Sequence, residues 1–277
     1  MANITAAEVN KLRQQTGAGM MDCKNALVEA DGDFDKAIDY LRKKGQKLAS
    51  NRADRDANEG IVLAKTSSDN KKAFVIMLNC ETDFVAKNQD FINFADNIME
   101  IAIEKFPKSI EELKALEING RSIDDTTTDL IGKIGEKLQL AHYEFVEGEF
   151  SSAYNHHGNR LATIVSFNKN VAGIDEMGRE VAKQIAAMNP VAVDKDSVDP
   201  KTIEKEIEIG KDLARQEGKA EEMVEKIALG KLNKFFKENT LLSQEFIKDN
   251  KITVGQYLSN ADKDLTASSF KRLMLGA

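Results

Sequence analysis

One stretch constrains the fold more than any other. Between Lys72 and Lys105 the apolar period switches from strand to helix. Lys72 to Cys80 is a run of apolar and β-branched residues (Phe74, Val75, Ile76, Met77, Leu78), the pattern of a buried strand. After it, Asn88 can cap a long helix in which Phe91, Phe94, Ala95, Ile98 and Ala102 recur at helical spacing. Ile92, Met99 and Ile103 add a second apolar stripe, so that helix is expected to be buried widely. Glu81-Thr82-Asp83-Phe84-Val85 therefore lies where a sheet hands over to a helix, a position in which loops often carry function. Thr82 can cap a short turn with Asp83 in its first position, where a carboxylate suits free N–H groups. Phe84 has two readings. It folds back as a hydrophobic staple for the next helix, or it stands out as a wedge for a partner's pocket with a carboxylate beside it.

At 277 residues the chain is long for one compact domain, and two or three units are expected. A hydrophobic content of 42% is enough for real cores, and 31% charged residues with no Trp point to a soluble, helix-rich protein. No run approaches the roughly 18 apolar residues of a membrane span. Met1-Ala2-Asn3-Ile4-Thr5 lacks the basic and apolar regions of a signal peptide, so the cytoplasm is the expected compartment. Cys23 and Cys80 are expected to be free thiols and lack zinc-site spacing. A net charge of −7 argues against direct nucleic-acid binding, which needs many Lys and Arg contacts, and suits a protein partner with a basic face.

Residues 1–50 read as three short helices. Thr5-Ala6-Ala7-Glu8 is a capping box, with Ile4 and Val9 as its staple. Thr16-Gly17-Ala18-Gly19 is a tight turn. The second helix spans about Met20 to Ala30, with Met20, Cys23, Ala26 and Leu27 on one face. Asp33 caps a third carrying Phe34, Ala37, Ile38 and Leu41, with Gly45 expected just past its end. Residues 51–56 read as linker. Ile61–Thr66 and Lys72–Cys80 form a hairpin through Ser67–Lys71. Ser109 starts a short helix, and Thr126 or Thr127 is expected to cap another through Leu138. Leu140–Val146 alternates as a half-buried strand and is expected to open a second half. Leu161–Phe167, a helix over Glu176–Met188 and a strand near Phe270–Leu275 complete that half. Within it, Asp199 and Pro200 start a charged helix that turns at Glu217-Gly218-Lys219 and returns through Met223, Val224 and Ile227. Its apolar seam is thin (Ile203, Ile207, Ala214), as in a projecting antiparallel hairpin. Leu229 to Phe236 is expected to rejoin the core.

Two motifs fail on inspection. Gly17-Ala18-Gly19-Met20-Met21-Asp22 lacks the third glycine of a dinucleotide loop and follows no strand. Asp31-Gly32-Asp33-Phe34-Asp35-Lys36 has Lys where a calcium loop needs Gly. The only histidines are His142, His156 and His157, without metal-ligand spacing, and no nucleophile elbow or P-loop is present. No cofactor, metal or catalytic constellation is expected. The chain reads as a non-enzyme.

Several segments together resemble the bacterial translation elongation factor Ts family. They are Thr82-Asp83-Phe84-Val85, Thr16 to Leu27 (Thr-Gly-Ala-Gly-Met-Met-Asp-Cys-Lys-Asn-Ala-Leu), Gly158-Asn159-Arg160-Leu161, Ala186-Ala187-Met188-Asn189-Pro190, Gly230 to Glu238, and Thr253 to Leu258. They stand in the family's order and span nearly the whole chain. The resemblance implies an α+β fold. An N-terminal three-helix ubiquitin-associated-like domain (1–50) and a linker (51–56) precede two related α+β subdomains (57–138 and 139–277). The second is interrupted by an antiparallel coiled-coil hairpin inserted at 195–228. It also implies a cytoplasmic guanine-nucleotide exchange factor in translation elongation. Such a factor binds the GDP form of the GTPase elongation factor Tu, disrupts its magnesium and phosphate site, and promotes GDP release. Thr82, Asp83, Phe84 and Val85 would form the loop that displaces the magnesium. Gly17, Met20 and Met21 would also meet the partner, together with Arg160 and the turn containing His156 and His157, either of which fits the family's partner-contacting histidine. No membrane or direct nucleic-acid partner is implied, and a homodimer stays open. Family members commonly carry a further C-terminal helix against the partner. The sequence here stops at Ala277, so that contact is not expected. On the residues alone, the competing function is an adaptor whose first 50 residues bind a protein while the rest is scaffold.

Overall fold

A computed structural model describes residues 4–276. Three helices open the chain: α1 (Ala6–Thr16), α2 (Met20–Glu29) and α3 (Phe34–Asn51). Their starts follow local chemistry. Thr5 and Glu8 form the reciprocal capping box on α1, and Asp33 accepts the Lys36 N–H at the head of α3. Val9, Leu12, Cys23, Ala26, Leu27 and Ala37 make a small shared core, with Ile4 and Phe34 against it. Met20, expected on the inner face of α2, is instead 59% exposed.

Gly45 does not end the third helix. It is buried in the interior of α3, which runs six residues further to Asn51. The reason is tertiary and involves α7 (Ile123–Ile134). A Cβ added at Gly132 of α7 would lie 3.0 Å from Gly45 Cα, so the two helix backbones cross at a distance that only glycine permits. α7 itself starts at Ile123 under a Ser122 cap, earlier than the expected Thr126 or Thr127. Those two threonines lie inside the helix and donate to the carbonyls of Ser122 and Ile123 at 2.8 and 2.7 Å, which satisfies them without a cap.

The remaining elements in order are β1 (Glu59–Thr66), β2 (Lys72–Cys80), α4 (Asp83–Ala86), α5 (Gln89–Lys105), α6 (Ile110–Ala115), β3 (Glu117–Ile118), β4 (Arg121–Ser122), α7, and β5 (Leu138–Glu147). Then come β6 (Phe150–Asn155), β7 (Leu161–Phe167), α8 (Ile174–Met188), α9 (Pro200–Gln216), α10 (Glu221–Asn239), β8 (Glu245–Phe246), β9 (Asp249–Thr253), α11 (Val254–Ser259) and β10 (Ala267–Met274). By internal contacts the chain divides into two compact units. Of the described residues, one comprises 4–63, 76–144 and 275–276, the other 64–75 and 145–274.

Two three-stranded sheets carry the α+β part, ordered β1-β2-β5 and β10-β7-β6. They share one connectivity: two consecutive strands, a long helix, an insertion, then a third strand returning beside the second. Each central strand, β2 and β7, is buried along nearly its whole length and is mostly apolar, and the buried Thr163 and Ser166 of β7 are satisfied by the Ala182 carbonyl and by Ser269. β10 and β6 both pair antiparallel with β7. β5 pairs with β2 and closes the first sheet, so it does not open the second half as its alternation alone had suggested. Alternation marks a half-exposed strand but not its neighbour.

In the second half α9 and α10 form the antiparallel hairpin, capped by Asp199 with Pro200 in the first turn. Gly210 meets Ala228 at 3.0 Å from its added Cβ, and Ala214, Val224 and Ala228 are buried along the seam. α10 continues without a break to Asn239, so the return arm and the segment expected to rejoin the core are one helix. A buried amide network follows. Gln184 of α8 donates to Gln244 Oε1 and to the Glu245 carbonyl and accepts from the Ile247 N–H.

Candidate functional site

The turn after β2 is built from fixed polar bonds. Thr82 is extended and caps α4, its hydroxyl accepting the Val85 N–H at 3.4 Å. Its amide N–H and hydroxyl both donate to the Glu136 carboxylate, at 3.0 and 2.7 Å. Its carbonyl accepts the Cys80 thiol at 3.1 Å. Burial, and then the nearby Glu136 charge, pushes that thiol up to about 12, so it stays protonated.

Glu81 is anchored as firmly. It accepts from Arg52 at 2.7 Å, from Arg55 at 3.0 Å and from the Lys137 N–H at 2.6 Å. Desolvation alone would raise its carboxyl, but the Lys137 amide and the two guanidinium groups outweigh it and hold the pKa at about 2.

On this base sit four residues with different fates. Asp83 is exposed and pairs with Lys87 at 2.6 Å, which holds its carboxyl below the usual range. Phe84 is 81% exposed. The staple reading is therefore not met, because the ring does not fold back onto α5. Val85 is 9% exposed and seats the turn from within, while Thr82 supplies the cap. Asn88 then caps α5 through the Asp90 N–H at 2.8 Å, and Phe91 is fully buried one turn on.

The α1–α2 turn lies close by. Gly17 has φ +68° and closes α1 through the Arg13 carbonyl. A side chain there would also collide with the stem of Lys133, 2.7 Å from the added Cβ. The Lys133 ammonium pairs with Asp90 in the first turn of α5. One lysine thus links the Gly17 turn to the base of the Phe84 loop. Met20 and Met21, which follow the turn, are 59% and 63% exposed.

His156, His157 and Arg160 lie on the exposed β6–β7 turn, where Gly158 and Asn159 both have positive φ. Tyr154 Oη and His156 Nδ1 lie 2.9 Å apart, and the two rings are tilted with centroids 5.9 Å apart. Asn155 fixes the root of the turn by bonding both the N–H and the carbonyl of Ala64. His156 therefore has a defined orientation, which the sequence left open, and His157 has no such tether among the described bonds.

The residues that hold the Phe84 loop, namely Arg52, Arg55, Glu136 and Lys137, carry no signal in the sequence. They lie about 30 to 55 positions from it, and no periodicity or motif reaches that far. Among the described residues no group of three or more His, Cys, Asp or Glu side chains is arranged to hold a metal ion, and no helix is long and apolar enough to cross a membrane.

Comparison with known proteins bears on the whole chain. Residues 81–277 match the family described as Elongation factor TS. An elongation factor Ts of Christiangramia forsetii is 53% identical over 276 residues, covering 100% of both chains. That of Flavobacterium psychrophilum is 51% identical over 276 residues with the same coverage. That of Cytophaga hutchinsonii is 54% identical over 278 residues, 99% of this chain and 100% of its own.

Proposed function

The chain belongs to the elongation factor Ts family, and on that premise we propose that this translation elongation factor is a guanine-nucleotide exchange factor for the GTPase elongation factor Tu. It acts by linkage and performs no bond-making chemistry of its own. A protein that binds the nucleotide-free GTPase better than its GDP form must weaken GDP by the same factor. The GTPase holds GDP through P-loop amides and a magnesium ion on a P-loop hydroxyl. In this reading Phe84 and Asp83 enter beside that magnesium, the ring displaces a helix, and the diphosphate loosens.

The observation that carries the reading is an aromatic ring 81% exposed on a turn whose flanks are fully bonded. Here the backbone is held, so the ring is offered outward. The Asp83–Lys87 pair is exposed, and exchanging it for a partner's group costs little because surface pairs are worth about 0–1 kcal/mol. The helices of residues 1–50, with Gly17, Met20 and Met21, dock on the nucleotide-binding domain. The turn of His156, His157 and Arg160 grips a distal domain. The proposed division keeps 1–50 and 51–56 and moves the boundary between the two α+β subdomains from 138/139 to the end of β5 at Glu147, with the protein acting in the cytoplasm.

The test is release of a fluorescent GDP analogue from elongation factor Tu with and without this protein. Faster release supports exchange. Binding with unchanged release supports the adaptor reading instead.

A further inference from the structure

We propose that Glu136 is a positioning residue for the exchange loop, a carboxylate from outside the loop that presets the direction of the Phe84 ring. The inference rests on the exchange reading above. Thr82 is the last extended residue before α4, so its conformation sets where the turn begins. Glu136 takes both hydrogens that Thr82 can donate, the amide at 3.0 Å and the hydroxyl at 2.7 Å. The amide bond orients the peptide plane entering the turn. The hydroxyl bond fixes the side-chain rotamer and leaves a lone pair for the Val85 N–H at 3.4 Å.

The neighbouring pair repeats the pattern in reverse. Glu81 accepts the Lys137 N–H at 2.6 Å, so residues 81–82 and 136–137 are cross-bonded in both directions. Gly135, at φ +83°, ends α7 and delivers Glu136 to this place. Within the loop the Thr82 cap and the α4 backbone bonds shape the turn and Val85 anchors it, while Phe84 is exposed and the Asp83–Lys87 pair lies in solvent, so the remaining tie to the fold comes from outside the loop. A loop fixed in advance pays no ordering cost when it meets its target. Glu136 therefore acts through Phe84, without touching the partner.

The experiment measures release of a fluorescent GDP analogue from elongation factor Tu against the concentration of this protein. The variants are wild type, Glu136→Ala, Glu136→Gln, Phe84→Ala and the Phe84→Ala/Glu136→Ala double, each checked for folded fraction by circular dichroism. Glu136→Ala should lower the maximal rate roughly tenfold, as expected for losing hydrogen bonds to a charged group. The half-saturating concentration should move less than about threefold, because other contacts supply affinity. Glu136→Gln, which keeps an acceptor of the same length, should recover part of the rate. In the Phe84→Ala background, Glu136→Ala should add less than about twofold, since two steps of one device do not add. Full additivity, or a wild-type rate in Glu136→Ala, overturns the inference. If Glu136→Ala does not fold, Glu136→Gln carries the same cycle. Wild-type protein that leaves GDP release unchanged overturns the exchange reading itself, a separate outcome from accelerated release that Glu136→Ala leaves intact.

Discussion

Phe84 and Val85 are consecutive residues in one helical turn with contrasting environments, the ring 81% exposed and the isopropyl group 9% exposed. Cβ directions a residue apart on a helix differ by about 100°, so one turn can hold an anchor and present a ring at once.

Contrasting environments give contrasting phenotypes. Phe84→Ala should leave the melting temperature within a degree or two and slow GDP release roughly ten- to hundredfold, the worth of burying such a ring in a partner. Val85→Ala should instead cost about 1–3 kcal/mol of stability. Thermal melts and release rates on the two variants separate the roles. A large melting shift in Phe84→Ala with normal release per folded molecule would return the ring to the core.

Acid stability should report on Glu81. Its folded pKa of about 2 lies below the ordinary 4.5, so it stabilises the protein fully above about pH 4.5. That contribution, about 1–3 kcal/mol once solvent screening is allowed for, is lost as pH falls from 4.5 towards 2. Glu81→Gln should lower stability at neutral pH and flatten the acid limb in that window. Denaturant unfolding between pH 2 and 7 measures both, and parallel curves for the two proteins would contradict the assignment.

Two kinds of glycine should respond differently to alanine. At Gly132 and Gly210 an added Cβ meets a facing helix backbone at 3.0 Å, so Gly132→Ala and Gly210→Ala should destabilise by about 1–3 kcal/mol through overpacking. Gly230 lies in the interior of α10 with open space around it, and Gly230→Ala should stabilise by about 0.5–1 kcal/mol. Melting temperatures decide, and a stabilised Gly132→Ala would mean that α3 and α7 can part.

The α9–α10 hairpin should be dispensable for exchange. Its seam is small and mainly alanine, valine and glycine, and its surface carries exposed ion pairs such as Arg215–Glu221 and Lys231–Glu217. Replacing residues 199–227 with a short Gly/Ser linker should leave the exchange rate within a few-fold. Loss of folded signal in circular dichroism would show that the long α10 needs its partner helix to hold the second half together.

What the sequence determined by itself was what acts within a few residues. Thr5, Asp33, Thr82, Asn88, Ser109 and Asp199 each cap the helix that follows, because a capping bond spans two or three residues and its chemistry is local. The buried central strands β2 and β7 were equally plain, since a strand covered on both faces is predominantly apolar. The tertiary structure alone decided what depends on a distant partner. Gly45 sits inside a helix because Gly132 crosses it, and β5 joins β2 because the chain returns there. Thr82 is held by a carboxylate 54 positions away. The direction of Phe84 belongs to the same class. A ring in a polar turn can fold in or stand out, and the bonds from Arg52, Arg55, Glu136 and Lys137 to its neighbours hold the backbone that turns it outward.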